Sequence, residues 1–384
     1  MHFKESLRRA VFAVLSSLNT IVPKKKRVFL YAPEGLYGNR EAIFEYLLEH
    51  TEFPIVCLSD SHRDFNLRKN VRIMPTSLLR EIYYLLTSRV VIDTHLHKFR
   101  AVPARQQFSL QLWHGTPLKW LPSDPSTPEG IYYSKILCPA PFFRGIYERV
   151  FCVGEDRLLL GGNPRNDYLF SPATGSLIPD GIRRCVIWMP TFRHGLGAEE
   201  SRKDLPILHA DNLAALDSFL AAHAMLLFIK PHPLQNGALR EAISGNAHNV
   251  QLLTDEMLLN EQIPLYRFVG AMDALLTDYS SVYFDYLLLD RPIGFAIDDM
   301  AEYAQNRGFC FDDPLSYMPG EKIYDMDGLL SFLRNLIEGK DAWQEERARI
   351  CRLSNHFRDA NNCARAAACV EAAMEESHLQ QNLS

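Results

Sequence analysis

Three short segments place chemically able side chains directly after apolar runs. In Trp113-His114-Gly115-Thr116-Pro117-Leu118-Lys119, the histidine follows the run at 108–113. A neutral imidazole there can take a proton from an acceptor hydroxyl. A loop histidine that only caps a neighbour would have the same local sequence. Gly115 permits close backbone approach and Pro117 fixes the turn. In Ile229-Lys230-Pro231-His232-Pro233, two prolines hold His232 extended just past another apolar run,. Rigid placement suits a site, though a strand-ending turn with a solvated imidazole also fits. In Leu276-Thr277-Asp278-Tyr279-Ser280-Ser281, an apolar run enters a hydroxyl-rich turn and then a helical stretch. Its hydroxyls and the free N–H groups of the helix start can form an anion site. Simple N-capping by Asp278 or Ser280 is the other reading.

Two further segments add cations. Met189-Pro190-Thr191-Phe192-Arg193 sets Arg193 after a strand, and arginine binds phosphate bidentately,. Gly162-Asn163-Pro164-Arg165-Asn166-Asp167 offers Arg165, Asn166 and Asp167, or a surface turn built of favourable turn residues,. No His/Asp/Glu cluster has metal-ligand spacing, so no protein metal site is expected.

The elements that must carry these segments alternate. Strands are expected at 27–32, 54–58, 71–74, 89–93 and 108–113, with helices at 41–50 and 77–87. A Pro/Gly/Ser-rich stretch at 171–181 reads as a linker. Strands then restart at 185–189, 225–230, 250–253, 274–277 and 293–296, with a helix at 210–223. Strands alternating with helices imply parallel sheets. The expected fold is α/β and GT-B-like: two Rossmann-like domains with the active site in the cleft between them. The expected division is a basic and apolar segment at 1–27, domains at 28–175 and 182–340, and a helical tail at 341–384.

The chain has 384 residues, 47% of them hydrophobic, which suits two or three globular domains,. Its formal charge of −5 gives no support to a nucleic-acid partner,. Eight cysteines without a CxxC pair read as buried thiols of a reducing compartment,. The stretch at 10–22 is shorter than the ~20 apolar residues that span a bilayer. It lies between Lys4, Arg8, Arg9 and the run Lys24-Lys25-Lys26-Arg27. This reads either as a helix on an anionic membrane surface or as a first helix packed on the body.

Together these segments resemble the CDP-glycerol glycerophosphotransferase family, which builds teichoic acids and similar polyol-phosphate polymers. Trp113 to Lys119 looks like its HGTPLK segment, Gly162 to Asp167 like its PRND segment, and Pro190 to Arg193 like its PTFR or PTWR segment. Pro231-His232-Pro233 looks like its HP motif. Thr277 to Ser281, with Phe284-Asp285-Tyr286 and Asp290-Arg291-Pro292, is similar to TDYSS…DY…RP. The resemblance implies a GT-B fold and transfer of glycerol-phosphate or ribitol-phosphate from a CDP-activated donor, with release of CMP. The acceptor would be a hydroxyl of a lipid-linked saccharide or cell-surface glycan.

By the same resemblance, His114 and His232 are the catalytic candidates. Arg193, Thr277, Asp278, Ser280, Ser281, Gly115 and Thr116 are expected at the donor. Lys119, Arg165, Asn166, Asp167, Lys230 and Asp285 are further candidates. No cofactor is required, although the donor pyrophosphate can carry Mg²⁺. A cytoplasmic enzyme, peripheral on the inner face of the membrane, is expected. The competing readings are a GT-B glycosyltransferase using a nucleotide sugar and a non-catalytic binding module.

Overall fold

A computed structural model describes residues 2–95, 99–121, 129–191, 205, 207–230, 243, 245 and 247–375. The chain divides into two compact units. One comprises Met1–His114, Pro122–Tyr168 and His356–Ser384, and the other Gly115–Leu121 and Leu169–Asn355.

The first unit is built on seven parallel strands: β1 (Lys25–Ala32), β2 (Ile55–Ser59), β3 (Val71–Met74), β4 (Ser88–Asp93), β5 (Phe108–Gln111), β6 (Lys135–Cys138) and β7 (Leu158–Leu160). They lie in the order β3-β2-β1-β4-β5-β6-β7. The strands are apolar on both faces because both faces are covered. Along β1, Val28, Leu30 and Ala32 face the helices Asn39–His50 and Asn362–Glu375. Phe29 faces the opposite way, toward Leu15 of helix His2–Ile21 and toward Leu85 and Leu86 of helix Leu78–Thr87.

The second unit repeats the plan with β8 (Arg184–Met189), β9 (Met225–Ile229), β10 (Val250–Leu252), β11 (Ala274–Thr277), β12 (Ile293–Ala296) and β13 (Glu321–Ile323). Their order is β10-β9-β8-β11-β12-β13, all parallel. In each sheet the order reverses once, between β1 and β4 and between β8 and β11. Ligands in open α/β sheets collect outside the carboxyl ends of strands at such reversals. The expected doubly wound α/β character therefore holds in both units.

Several expected boundaries change. The chain enters the second unit at Leu169, so the 171–181 stretch lies within that unit. It is fastened there by Ala173 N–H to the Arg267 carbonyl (3.1 Å) and by Ser176 N–H to Glu261 (3.0 Å). The expected 341–384 tail divides: helix Gln344–Ser354 belongs to the second unit and helix Asn362–Glu375 to the first. Five of the eight free cysteines are buried, and Cys152, Cys310 and Cys369 are partly exposed.

The N-terminal segment packs on the body of the first unit, the second of its two readings. Helix His2–Ile21 buries Phe12, Leu15 and Asn19 in the first unit. It leaves Leu7, Val14, Leu18 and Ile21 exposed along another face. Among the described residues, no helix is long and apolar enough to cross a membrane.

Candidate active site

At the carboxyl edge of the first sheet, β5 stops at Gln111 rather than continuing to Trp113. Trp113 adopts a left-handed backbone, φ 56°, which is costly for an aromatic residue and must be held by its surroundings,. Gln111 Oε1 accepts from Trp113 N–H at 2.9 Å. Asn39 Nδ2 donates to the Trp113 carbonyl at 3.0 Å. Arg165 Nη1 donates to the His114 carbonyl at 3.0 Å, and its own N–H binds Asn39 Oδ1 at 3.1 Å. The turn that presents His114 is thus fixed from three separate parts of the chain.

The His114 ring lies 3.2 Å, through Nδ1, from the Thr94 carbonyl. A carbonyl only accepts, so Nδ1 carries the proton and Nε2 keeps its lone pair. The His95 ring stacks on His114 with centroids 4.7 Å apart and planes 10° apart. His95 Nδ1 is itself 2.8 Å from Thr94 Oγ1. Desolvation by the packed loops, then His95 and Arg165, push the His114 pKa down to about 4, against the Thr94 carbonyl and Glu34. His95 is also pushed down to about 4, by desolvation and then by Arg40 and Arg165. His114 is therefore neutral near physiological pH and able to accept a proton.

The rest of the PRND segment turns inward. Asp167 accepts from Asn362 N–H (2.9 Å) and Cys363 N–H (2.7 Å), so it caps helix Asn362–Glu375,. Burial raises its pKa, and those two backbone bonds oppose the rise. Asn166 is buried at 1% exposure. Only Arg165 of the three reaches His114.

At the carboxyl edge of the second sheet, Thr191 and Asp278 follow the ends of the neighbouring strands β8 and β11. Both Asp278 carboxylate oxygens accept from Thr191 N–H at 2.9 Å, and Oδ1 also takes the Thr191 hydroxyl at 2.6 Å. Asp278 therefore braces the switch point instead of capping the following helix. The Thr277 hydroxyl donates to the Met189 carbonyl at 2.8 Å and is fully buried, which takes it away from the donor role expected of it. Asp285 is likewise buried and accepts from Tyr266 O–H at 2.7 Å. Helix Val282–Tyr286 has five residues. That is a weaker anion-binding start than expected, because a short helix sums few peptide dipoles.

What remains toward the edge is polar and half-buried. Ser280 Oγ accepts from Val282 N–H at 3.5 Å, and Ser281 occupies the N-cap position without a side-chain cap bond. Lys119 Nζ lies 3.2 Å from Thr191 Oγ1, and its strand-like bridge to Phe309 pins the Gly115–Leu121 segment to the second unit. Gly115 and Thr116 are buried within it. Lys230 pairs with Asp255 at 2.9 Å. Arg193 and His232 lie outside the described residues. Among the described residues, no group of three His, Cys, Asp or Glu side chains is placed to hold a metal.

The sequence reading missed Thr94, His95 and Asn39. His95 had a usable signal, since it stands two residues past the apolar strand β4, much as His114 stands past β5.

The teichoic acid ribitol-phosphate primase of Bacillus spizizenii is 25% identical over 83% of this chain and 84% of its own length. The teichoic acid glycerol-phosphate transferase of Staphylococcus aureus is 23% identical over 90% of this chain and 92% of its own. A histidine-to-asparagine variant of the wall teichoic acid polymerase TagF, solved after a soak with CDPG, superposes with a TM-score of 0.73. It covers 97% of this chain and 98% of that one at 19% identity, a likeness of fold. Residues 14–372 match one family throughout, and the chain belongs to it: CDP-glycerol:poly(glycerophosphate) glycerophosphotransferase, whose members move a polyol-phosphate from a CDP-activated donor.

Proposed function

We propose that this enzyme transfers glycerol-phosphate or ribitol-phosphate from its CDP-linked donor to a hydroxyl of a lipid-linked saccharide or cell-surface glycan. The observation that carries the reading is the placement of His114 Nδ1 3.2 Å from the Thr94 carbonyl, an acceptor only, which assigns the proton to Nδ1 and the lone pair to Nε2,. In the step we assign, Nε2 takes the acceptor's O–H proton as that oxygen bonds to the β-phosphorus. The bond from that phosphorus to the bridging oxygen breaks, and CMP leaves with the electron pair. Charge builds on phosphate oxygens, so the reaction needs placement and positive potential more than covalent chemistry. We assign the donor phosphates to Ser280, Ser281 and Lys119, with Arg193 and His232 as further contacts of the same kind. Any Mg²⁺ enters with the donor pyrophosphate.

The test is product release from the purified protein given CDP-glycerol, CDP-ribitol and nucleotide sugars with a lipid-linked saccharide acceptor, with and without EDTA. CMP should appear with a CDP-polyol, and the EDTA arm reads the metal. UDP from a sugar donor, with no CMP from either polyol, would replace this reading with a glycosyltransferase.

We also propose that the enzyme works at the inner face of the cell membrane. Leu7, Val14, Leu18 and Ile21 form an exposed stripe on helix His2–Ile21. Arg8 and Arg9 are exposed in its first half, and Lys25 and Lys26 just past its end. Apolar residues flanked by cations suit an anionic surface. Eight free thiols fit a reducing compartment,. Deleting residues 1–27 would be a poor test, because it strips Phe12 and Leu15 from the core and removes the start of β1. The double substitution Leu18→Glu, Ile21→Glu spares the core. It should abolish pelleting with phosphatidylglycerol vesicles while leaving turnover on a soluble acceptor intact, and undiminished pelleting would refute the membrane role.

A further inference from the structure

We propose that His95 is a positioning residue for His114, holding the imidazole in the tautomer and orientation that proton removal requires. The proposal rests on the reading of His114 as the proton acceptor. Thr94 serves both rings: its carbonyl accepts from His114 Nδ1, and its hydroxyl meets His95 Nδ1 at 2.8 Å. The two imidazoles then lie nearly parallel, 4.7 Å apart. Trp113 contributes a second ring, 4.0 Å from His114 and tilted by 37°.

Such packing has two physical consequences. The His95 ring restricts rotation of His114 about its outer torsion, so that Nδ1–H stays on Thr94 and Nε2 keeps one direction. The rings also cannot both be protonated cheaply, because two cations would then sit within 5 Å. The charged groups around the pair are Arg40 from helix Asn39–His50, Arg165 from the Pro164–Phe170 turn, and Glu34 from the loop after β1. The two arginines add to the penalty for a second proton and Glu34 subtracts from it. His95 thus helps keep His114 ready to accept a proton as the pH falls.

The experiment uses the full chain and two substitutions, His95→Ala and His95→Phe. His95 lies in the loop after β4 and is no part of the buried core, so neither should unfold the protein, and circular dichroism checks this. His95→Ala should lower kcat for CMP release by about 10- to 100-fold, the size expected for a misplaced catalytic group, with the donor KM within about twofold. His95→Phe restores a flat ring and should recover most of that loss. In both variants the His114 imidazole, followed by ¹⁵N NMR, should titrate about half a pH unit higher or more, because a like-charged neighbour has gone.

Unchanged kcat in His95→Ala, or an unmoved His114 midpoint in both variants, overturns the proposal. Failure of the transfer reading looks different: the wild type would then release no CMP from any donor, while the NMR titration would still report on the pair.

Discussion

His114→Ala should lower kcat by about 10²- to 10⁴-fold while the far-UV circular dichroism stays that of the wild type, the range general-base catalysis contributes. The loss falls on kcat because the side chain acts on the acceptor's proton and does not hold the donor. His114→Gln keeps a polar group of similar reach but has no basic nitrogen, so it should be nearly as damaged. Near wild-type turnover in either variant would remove His114 from the mechanism. The pH dependence has a definite sign. His114 and His95 both have pKa values lowered to about 4, below the ~6.5 of an unperturbed histidine,. Turnover should therefore hold through the range where an ordinary histidine becomes charged, and fall only as the pH nears the folded value. Stability moves the same way. Between the unfolded and folded pKa values the unfolded chain binds more protons, so the contribution of these rings is complete above about pH 6.5 and is lost as the pH falls toward 4. A kcat profile that breaks near 6.5 would contradict the lowered pKa of the proton acceptor.

Most of the architecture was legible because parallel strands covered on both faces appear as unbroken apolar runs. β3, β11 and β12 fall on the residues expected, and β1, β2, β4, β5, β8, β9 and β10 begin and end within two residues of expectation. Lys135–Cys138, Leu158–Leu160 and Glu321–Ile323 escaped notice; the first and last open on charged residues, Lys135 and Glu321-Lys322, which shorten their apolar runs,. The site was legible only in part. A histidine after a strand can be read from composition, so His114 was found. The groups that orient it come from Asn39, Thr94, His95 and Arg165, which only the sheet order brings to one edge. Residue type also misled. Thr277, Asp278, Asp285 and Asp167 look like ligand-binding residues because their oxygens suit phosphates, cations and hydroxyls. Those same oxygens satisfy backbone N–H groups and buried hydroxyls, and the choice depends on which way each side chain turns in the folded strand or helix start.

Asp278 tests that distinction most severely, because its expected defect is structural first and catalytic second. Its carboxylate is fully buried and takes both the N–H and the hydroxyl of Thr191, joining the ends of β8 and β11 where the strand order reverses. Asp278→Ala removes a charged acceptor and leaves two buried donors without it. Hydrogen bonds to charged groups are worth about 1.5–3 kcal/mol each, and unpaired buried donors add to the loss, so a destabilisation of about 3 kcal/mol is expected. Asp278→Asn retains one acceptor oxygen in the same place and should cost roughly half as much. Urea denaturation reads both. Thr191 also leads directly into the segment bearing Arg193. Loosening its anchor should therefore raise the donor KM in the folded fraction, whereas His114→Ala leaves donor binding alone. If Asp278→Ala kept wild-type stability and lost only donor binding, Asp278 would be a ligand contact after all. If it lost stability and donor affinity together, with Asp278→Asn intermediate in both, the brace between β8 and β11 is what the TDYSS segment supplies here.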